Sequence, residues 1–302
     1  MNEHSFVVTG DEDGQRLDGL VHRECPPLSR REVQELFAEG RVRVDGKRVK
    51  KGDRARAGSQ VSVELPVPSR AAPEPDAPLE VRLERPDLVV VAKPGGQPTA
   101  PRDGVECGTL ANALVGHYPE LAEIGHRALE PGLVHRLDSG TSGLLLAARS
   151  APAFEHLAEL ISGGQLVKRY LALVEGWELA SEGEIDLPIA PHVKNPRRVA
   201  VLERADGRAA RPAVTRWRVL REVHEGLLVE LDVSRAVRHQ IRAHLAYLGA
   251  PIFGDVVYGS GPDARLGPAH ALHASEITYA GDAVVPAFSV TCEAPPSWAL
   301  FD

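Results

Sequence analysis

Apolar positions along this chain recur with two periods, and the switches between them mark its elements. Val33, Leu36 and Phe37 stand at helical spacing behind Ser29, which forms a capping box with Glu32, and Gly40 is a natural stop. A shorter helix opens at Gly14 to Asp18. Beyond Gly40, Val42, Val44 and Val49, then Val61 and Val63, read as short strands of a small sheet, with Asp45-Gly46 as a hairpin turn. The period then vanishes: Pro66, Pro68, Pro73, Pro75 and Pro78 sit among small residues, which predicts a semi-extended linker without a core of its own.

Larger elements follow. The β-branched run Leu88–Ala92 predicts a buried strand ended by the turn Lys93-Pro94-Gly95-Gly96, and Thr109–Leu114 a short helix. Next come an apolar run at Leu144–Ala148, a helix over 151–161 with Pro152 in its first turn, and a strand over 166–174. Residues 183–216 read as a hairpin excursion. A strand from Leu228 turns into a helix near His239 that Gly249 closes, and Gly254-Asp255 opens a further turn. Closing strands are expected around Ala271–His273, Ile277–Tyr279 and Val285–Thr291. The pattern divides the chain into a module over 5–66, a linker over 67–78 and a large domain over 79–302.

Composition narrows the class. With 302 residues, 43% hydrophobic and 25% charged, the chain has length for two globular domains and a large core. A net charge of -7 argues against indiscriminate nucleic-acid binding, because affinity for phosphates comes from clustered Lys and Arg. The clusters exist locally: Arg30, Arg31, Arg41, Arg43, Lys47, Lys50 and Lys51 crowd the first module, and Lys194, Arg197, Arg198, Arg204, Arg208 and Arg211 the hairpin excursion. Cys25, Cys107 and Cys292 lie far apart without zinc spacing, which fits a reducing compartment. The start lacks a secretory pattern and no stretch is long enough to span a bilayer, so the expected location is the cytoplasm, with no membrane partner.

The chemistry concentrates in Gly132-Leu-Val-His135-Arg136-Leu137-Asp138-Ser139-Gly140-Thr141-Ser142-Gly143, a polar loop feeding an apolar strand. A carboxylate at the mouth of such a strand, with a guanidinium and an imidazole beside it, can stay ionised in a partly dry cavity and act as nucleophile or base. Asp before a Gly-rich turn can also simply cap the local backbone. A metal centre is not expected: no acid lies between His239 and His244, as a zinc-protease pattern would require.

The stretch HRLDSGTSGLLLAAR closely resembles the signature of the RluA-type pseudouridine synthases, and the resemblance extends from about Leu88 to the C-terminus. The first module, with RLD, SR and GRVRVDGKRVKKGD, resembles the small RNA-binding module named after ribosomal protein S-four. The resemblance implies an α+β fold: a catalytic domain with a large mixed, mostly antiparallel sheet and a central cleft, preceded by a small α/β RNA-binding domain. It implies isomerisation of uridines in structured RNA to pseudouridine, without metal or cofactor, by a monomer. Asp138 falls on the family's catalytic Asp and Tyr170 on the Tyr that lies against the target base. Lys93, His135, Arg136, Lys168, His239, Gln240 and Arg242 fall on or beside family motifs and are expected to bind substrate. One position departs. The family Arg that pairs with the catalytic Asp is replaced by Val237, so the guanidinium is expected from Arg238, with Arg235, otherwise a substrate contact, as the alternative. Large-subunit ribosomal RNA is the expected substrate, with transfer RNA as the runner-up enzyme reading. A non-catalytic RNA-binding or ribosome-assembly factor remains if no guanidinium reaches Asp138.

Overall fold

The computed structural model describes residues 2–25, 28–65, 70–204, 209–233 and 235–302. Pro66, Pro68 and Arg208, named above, lie outside them. The chain forms two compact units, residues 1–68 and 69–302.

In the first unit, β1 (Asn2–Val7), α1 (Leu17–Glu24), α2 (Arg30–Glu39), β2 (Val42–Val44), β3 (Lys47–Arg48) and β4 (Gln60–Leu65) build an antiparallel sheet in the order β1-β4-β2-β3. The caps work as their residues dictate. Ser29 Oγ accepts from Glu32 N at 3.3 Å while the Glu32 carboxylate accepts from Ser29 N at 2.7 Å, and left-handed Gly40 closes α2. Val33, Leu36 and Phe37 meet Leu17, Leu20, Val21, Val42, Val61 and Val63 in one core. The hairpin turn at Asp45-Gly46 forms with positive φ at both residues. Strand β1 is an addition to the elements expected from the sequence.

The second unit holds β5 (Glu80–Glu84), β6 (Leu88–Lys93), α3 (Leu110–His117), β7 (Ser142–Ala148), α4 (Ala151–Gly163), β8 (Val167–Glu175), β9 (Glu182–Asp186), β10 (Ile189–Pro191), β11 (Val199–Val201), β12 (Val214–Val223), β13 (Gly226–Asp232), α5 (Gln240–Tyr247), β14 (Leu272–Tyr279) and β15 (Phe288–Thr291). Nine strands make one sheet in the order β5-β6-β7-β14-β8-β13-β12-β9, with β15 on β14. Among the described residues its pairings are antiparallel except β14 with β7. Every residue of β6 and β7 is buried because the sheet is covered on both faces. Val89, Val91, Leu145 and Ala147 pack on one side with α3, and Leu88, Val90, Leu144 and Leu146 on the other with α4.

Two features position the site. Gly143 lets β7 and β14 touch: a Cβ there would stand 2.3 Å from Ala274 O. The hairpin β10-β11 folds back on α5, sharing a small core of Ile189, Val199, Ala213 and Ala243. The proline-rich stretch is fixed to this unit from Arg70 on, where Arg70 Nη1 donates to Ala122 O at 3.0 Å. Ala71 N donates to Ala128 O, Glu74 N to Asn112 O, and Asn112 Nδ2 to Ala72 O. These bonds fall on backbone groups, which no hydrophobic period announces.

Candidate active site

The loop ahead of β7 is held from three sides, and that fixes Asp138. Thr99 Oγ1 donates to Leu137 O at 2.6 Å, Gly96 N to Ser139 O at 2.8 Å, and Thr141 N to Asp138 O at 3.0 Å. On the far flank His270 N donates to Gly140 O, and the His270 ring bonds Thr141 Oγ1 at 2.8 Å. Lys93 belongs to the same scaffold. It is 1% exposed, and its ammonium donates to Pro94 O, Gln97 O and Ser139 O at 2.9, 2.7 and 3.1 Å. Two of its protons hold its own turn and the third the Asp138 loop at Ser139 O, so all three are committed to backbone and Lys93 braces the loop instead of gripping substrate. Burial pushes it down to about 7, with the Asp138 charge acting in the opposite sense.

The guanidinium beside Asp138 is that of Arg242. Its Nη1 meets Asp138 Oδ2 at 2.6 Å, while Nε and Nη2 fork onto Asp255 Oδ2 and Oδ1 at 2.7 and 2.8 Å. Burial works against its charge, but the Asp255 hydrogen bonds and the charges of Asp138 and Asp255 outweigh that and hold Arg242 above its ordinary value. Fully buried Asp255 also accepts from Val257 N and Tyr258 N. Burial would raise it, yet Arg242 and these amides hold it below the usual carboxylate range. Asp138 keeps 27% of its side chain open, so one end of the array faces solvent.

The expected guanidinium sources are thereby corrected. Arg238 is exposed and its Nη1 donates to Pro196 O at 3.1 Å on the hairpin, and Arg235 turns to Gly163 O at 3.4 Å. The reason is the backbone at His239, whose φ of 57 starts α5 in the left-handed region. That turn sends Arg238 away, and Arg242, three residues into the helix from His239, comes round to the same face. His239 itself lies with Nε2 3.7 Å from Asp138 Oδ1.

Tyr170 sits on β8 opposite Leu231 of β13 and Ala274 of β14, 5% exposed. Burial and the Asp138 charge both push its hydroxyl well above the ordinary range, so it stays a neutral ring. Lys168 shares its face of β8 and is pushed down to about 8 by burial. His135 turns inward, Nε2 accepting from Leu146 N at 3.1 Å, with burial and the nearby Lys168 charge pulling it to about 3. Gln240 is also internal, bonding Val214 O and Thr215 Oγ1 and accepting from Val237 N. Of the residues expected to bind substrate, His135 and Gln240 therefore serve the scaffold, whereas Arg136, ion-paired with Glu130, is exposed. Sequence reasoning assigned no role to Asp255, Tyr258, Thr99, Thr141 or His270. The turn at Gly254-Asp255 was the available signal for the first two.

In the first unit, Arg31 pairs with Glu35 and Arg41 with Glu39, leaving Arg30, Arg43, Lys47, Lys50 and Lys51 exposed with no ion pair among the described residues.

Residues 87–247 match the family model described as RNA pseudouridylate synthase. The chain belongs to that family. The synthase also matches the S4 domain over residues 15–61. Its relatives include an uncharacterized RNA pseudouridine synthase, YlyB, of Bacillus subtilis (strain 168), 33% identical over 86% of this chain and 84% of its own. Ribosomal large subunit pseudouridine synthase D of Escherichia coli (strain K12) is 33% identical over 88% of this chain and 79% of its own. In fold the synthase is similar to human RNA pseudouridylate synthase domain containing 1, with a TM-score of 0.59 at 23% identity over 74% of this chain and 86% of that one. The α+β architecture with its large mixed sheet, the enzyme class and the RNA-binding module accordingly stand as the sequence implied. No helix among the described residues is long and apolar enough to cross a membrane.

Proposed function

We propose that this synthase converts specific uridines of large-subunit ribosomal RNA to pseudouridine, with Asp138 as the carboxylate that acts on the ribose. The observation that carries the reading is the array Asp138–Arg242–Asp255: a partly open carboxylate tied through one oxygen to a guanidinium that a second, buried carboxylate holds in place. The names of the relatives favour ribosomal RNA. A cytoplasmic setting is in keeping with three unpaired cysteines.

A uridine stacked in a helix is out of reach, so it must be flipped into the site at a cost of a few kcal/mol. Stacking on Tyr170 and phosphate contacts to the basic surfaces offset that cost. Asp138 then either attacks the anomeric carbon or removes the 2′ proton, and the bond from C1′ to N1 breaks. The detached uracil turns and bonds C1′ through C5, displacing the Asp138 carboxylate in the first route or with the 2′ proton returned to C2′ in the second; C5 loses its proton and N1 gains one, so substrate and product have the same atoms. Nothing is oxidised or reduced. The non-catalytic reading required a carboxylate without a guanidinium, and Arg242 supplies one.

The test uses the purified full chain with transcripts of large-subunit ribosomal RNA and of transfer RNA. Pseudouridine should form in the first, and Asp138→Asn should form none in either. Turnover on transfer RNA alone would move the substrate, and turnover by Asp138→Asn would remove Asp138 from its role.

A further inference from the structure

Tyr258 touches three parts of the site at once. Its backbone N–H donates to the buried Asp255, and its ring lies edge-on to His239 with centroids 5.7 Å apart. Its hydroxyl accepts from Val199 N of β11 at 2.7 Å and stands 3.1 Å from His239 Nδ1. Across the imidazole, His239 Nε2 faces Asp138 Oδ1, the oxygen that Arg242 does not use. His239 is presented this way by a left-handed backbone (φ 57), which a residue with a Cβ adopts only when its surroundings enforce it.

The protons can be placed from these contacts. A phenol has one proton and two lone pairs, and Val199 N–H occupies a lone pair. Among the described contacts of the hydroxyl, His239 Nδ1 is the acceptor left for its proton, which would otherwise have none. A ring nitrogen that accepts is unprotonated, so the neutral imidazole carries its proton on Nε2, towards Asp138. We propose that Tyr258 is a positioning residue: its hydroxyl fixes His239 as the Nε2–H tautomer, so that the free oxygen of Asp138 meets a donor and not a lone pair. This rests on the reading of Asp138 as the catalytic carboxylate. Arg242 and His239 then address one oxygen each, the first at hydrogen-bond distance and the second more loosely at 3.7 Å, which leaves Oδ1 oriented but free to react.

The groups facing His239 are Asp138 from the loop before β7, Arg238 and Arg242 from its own segment, and Asp255 and Tyr258 from the turn after α5. Burial lowers His239 below its ordinary value, Asp138 and Asp255 work to raise it, and the two arginines to lower it. A neutral ring is therefore the state near pH 7. Tyr258→Phe keeps the aromatic ring beside Arg198 and Arg242 but removes the proton held against Nδ1. Nδ1 becomes free to protonate, His239 titrates at higher pH, and the imidazolium clamps Asp138 Oδ1.

The direct test is nitrogen NMR of the full chain labelled with ¹⁵N in its histidine rings, with His239→Gln used for assignment. The expected wild-type spectrum shows Nδ1 unprotonated and Nε2 protonated at pH 7, and in Tyr258→Phe the titration of His239 moves up by about one unit. An Nδ1–H tautomer in the wild type, or the same titration in both proteins, overturns the proposal whatever RNA the enzyme acts on. On the RNA that the wild type modifies, Tyr258→Phe should lower kcat about threefold at pH 6 and leave it nearly unchanged at pH 8.5, with KM unchanged. In a His239→Gln background the same substitution should have no further effect. A loss that is equal at both pH values and in both backgrounds would make Tyr258 merely structural and sink the assignment, while turnover by Asp138→Asn would refute the underlying reading separately.

Discussion

Arg242 divides its guanidinium between two carboxylates, gripping one of them through two donors at once. Its Nη1 serves Asp138 while its Nε and Nη2 serve Asp255, a planar fork that an ammonium cannot reproduce. Arg242→Lys keeps a charge near Asp255 and should still fold, yet kcat should fall about 100-fold, the size typical of losing one preorganised charge donor. Arg238→Ala should stay within about threefold in kcat, since its guanidinium bonds a hairpin carbonyl. Single-turnover pseudouridine formation by the two variants decides between them, and a larger loss in Arg238→Ala would refute the assignment. Lys93 gives a stability test. Its folded value of about 7 lies below 10.5, so between those pH values the unfolded chain binds the proton that the folded chain has released. Lys93 therefore makes folding more favourable as pH rises from 7 to 10.5, by at most about 1.4 kcal/mol per unit. Urea unfolding at pH 7 and 9 should show Lys93→Met with a shallower rise than wild type, and equal rises would contradict the assignment. Asp138 and its loop stood out because they form one contiguous polar stretch before an apolar run, whereas Tyr170, on a separate strand, was singled out through the family resemblance alone. The identity of the guanidinium was not, because it depends on a positive φ at His239, which nothing in a non-glycine letter signals.

Among the elements, the contact of β7 with β14 is the narrowest tolerance in the sheet. Gly143 has φ 108, and a Cβ there would lie 2.3 Å and 2.5 Å from the backbone O and N of Ala274, neither of which can swing away. Gly143→Ala should cost about 2–4 kcal/mol and displace the Asp138 loop that leads into β7. Thermal unfolding and pseudouridine formation should both fall, and an unchanged Tm would show that the strands separate freely. Strands β6 and β7 were readable as buried because a sheet covered on both faces needs apolar residues at every position. The capped helix α2 was readable because Ser29, Glu32 and Gly40 each have one mechanical use there. Strand β1 was not, since it joins the sheet through backbone pairing with β4 while Val7 remains 58% exposed. Anchoring of the stretch after Arg70 was hidden for a similar reason: its partners are carbonyls, amides and one Asn side chain.

For the whole molecule, a net charge of -7 coexists with a positively charged patch on the first unit, so RNA affinity should depend on that patch and on salt. Replacing Arg43, Lys47, Lys50 and Lys51 together by Gln should weaken RNA binding about 10- to 100-fold at roughly 0.1 M salt and flatten its salt dependence by roughly one unit for each phosphate no longer neutralised. At saturating RNA kcat should not change, because none of the four belongs to the catalytic unit. Fluorescence anisotropy at several salt concentrations reads both quantities, and an unaltered salt slope would remove the patch from RNA binding. The proposed function turns on Asp138 making pseudouridine in large-subunit ribosomal RNA. The decisive measurement is pseudouridine mapping of total RNA from cells lacking this chain, complemented with either the natural sequence or Asp138→Asn. Particular uridines of that RNA should lose their modification, and only the natural sequence should restore them. Restoration by Asp138→Asn, or no change at any ribosomal uridine, would contradict the proposed function.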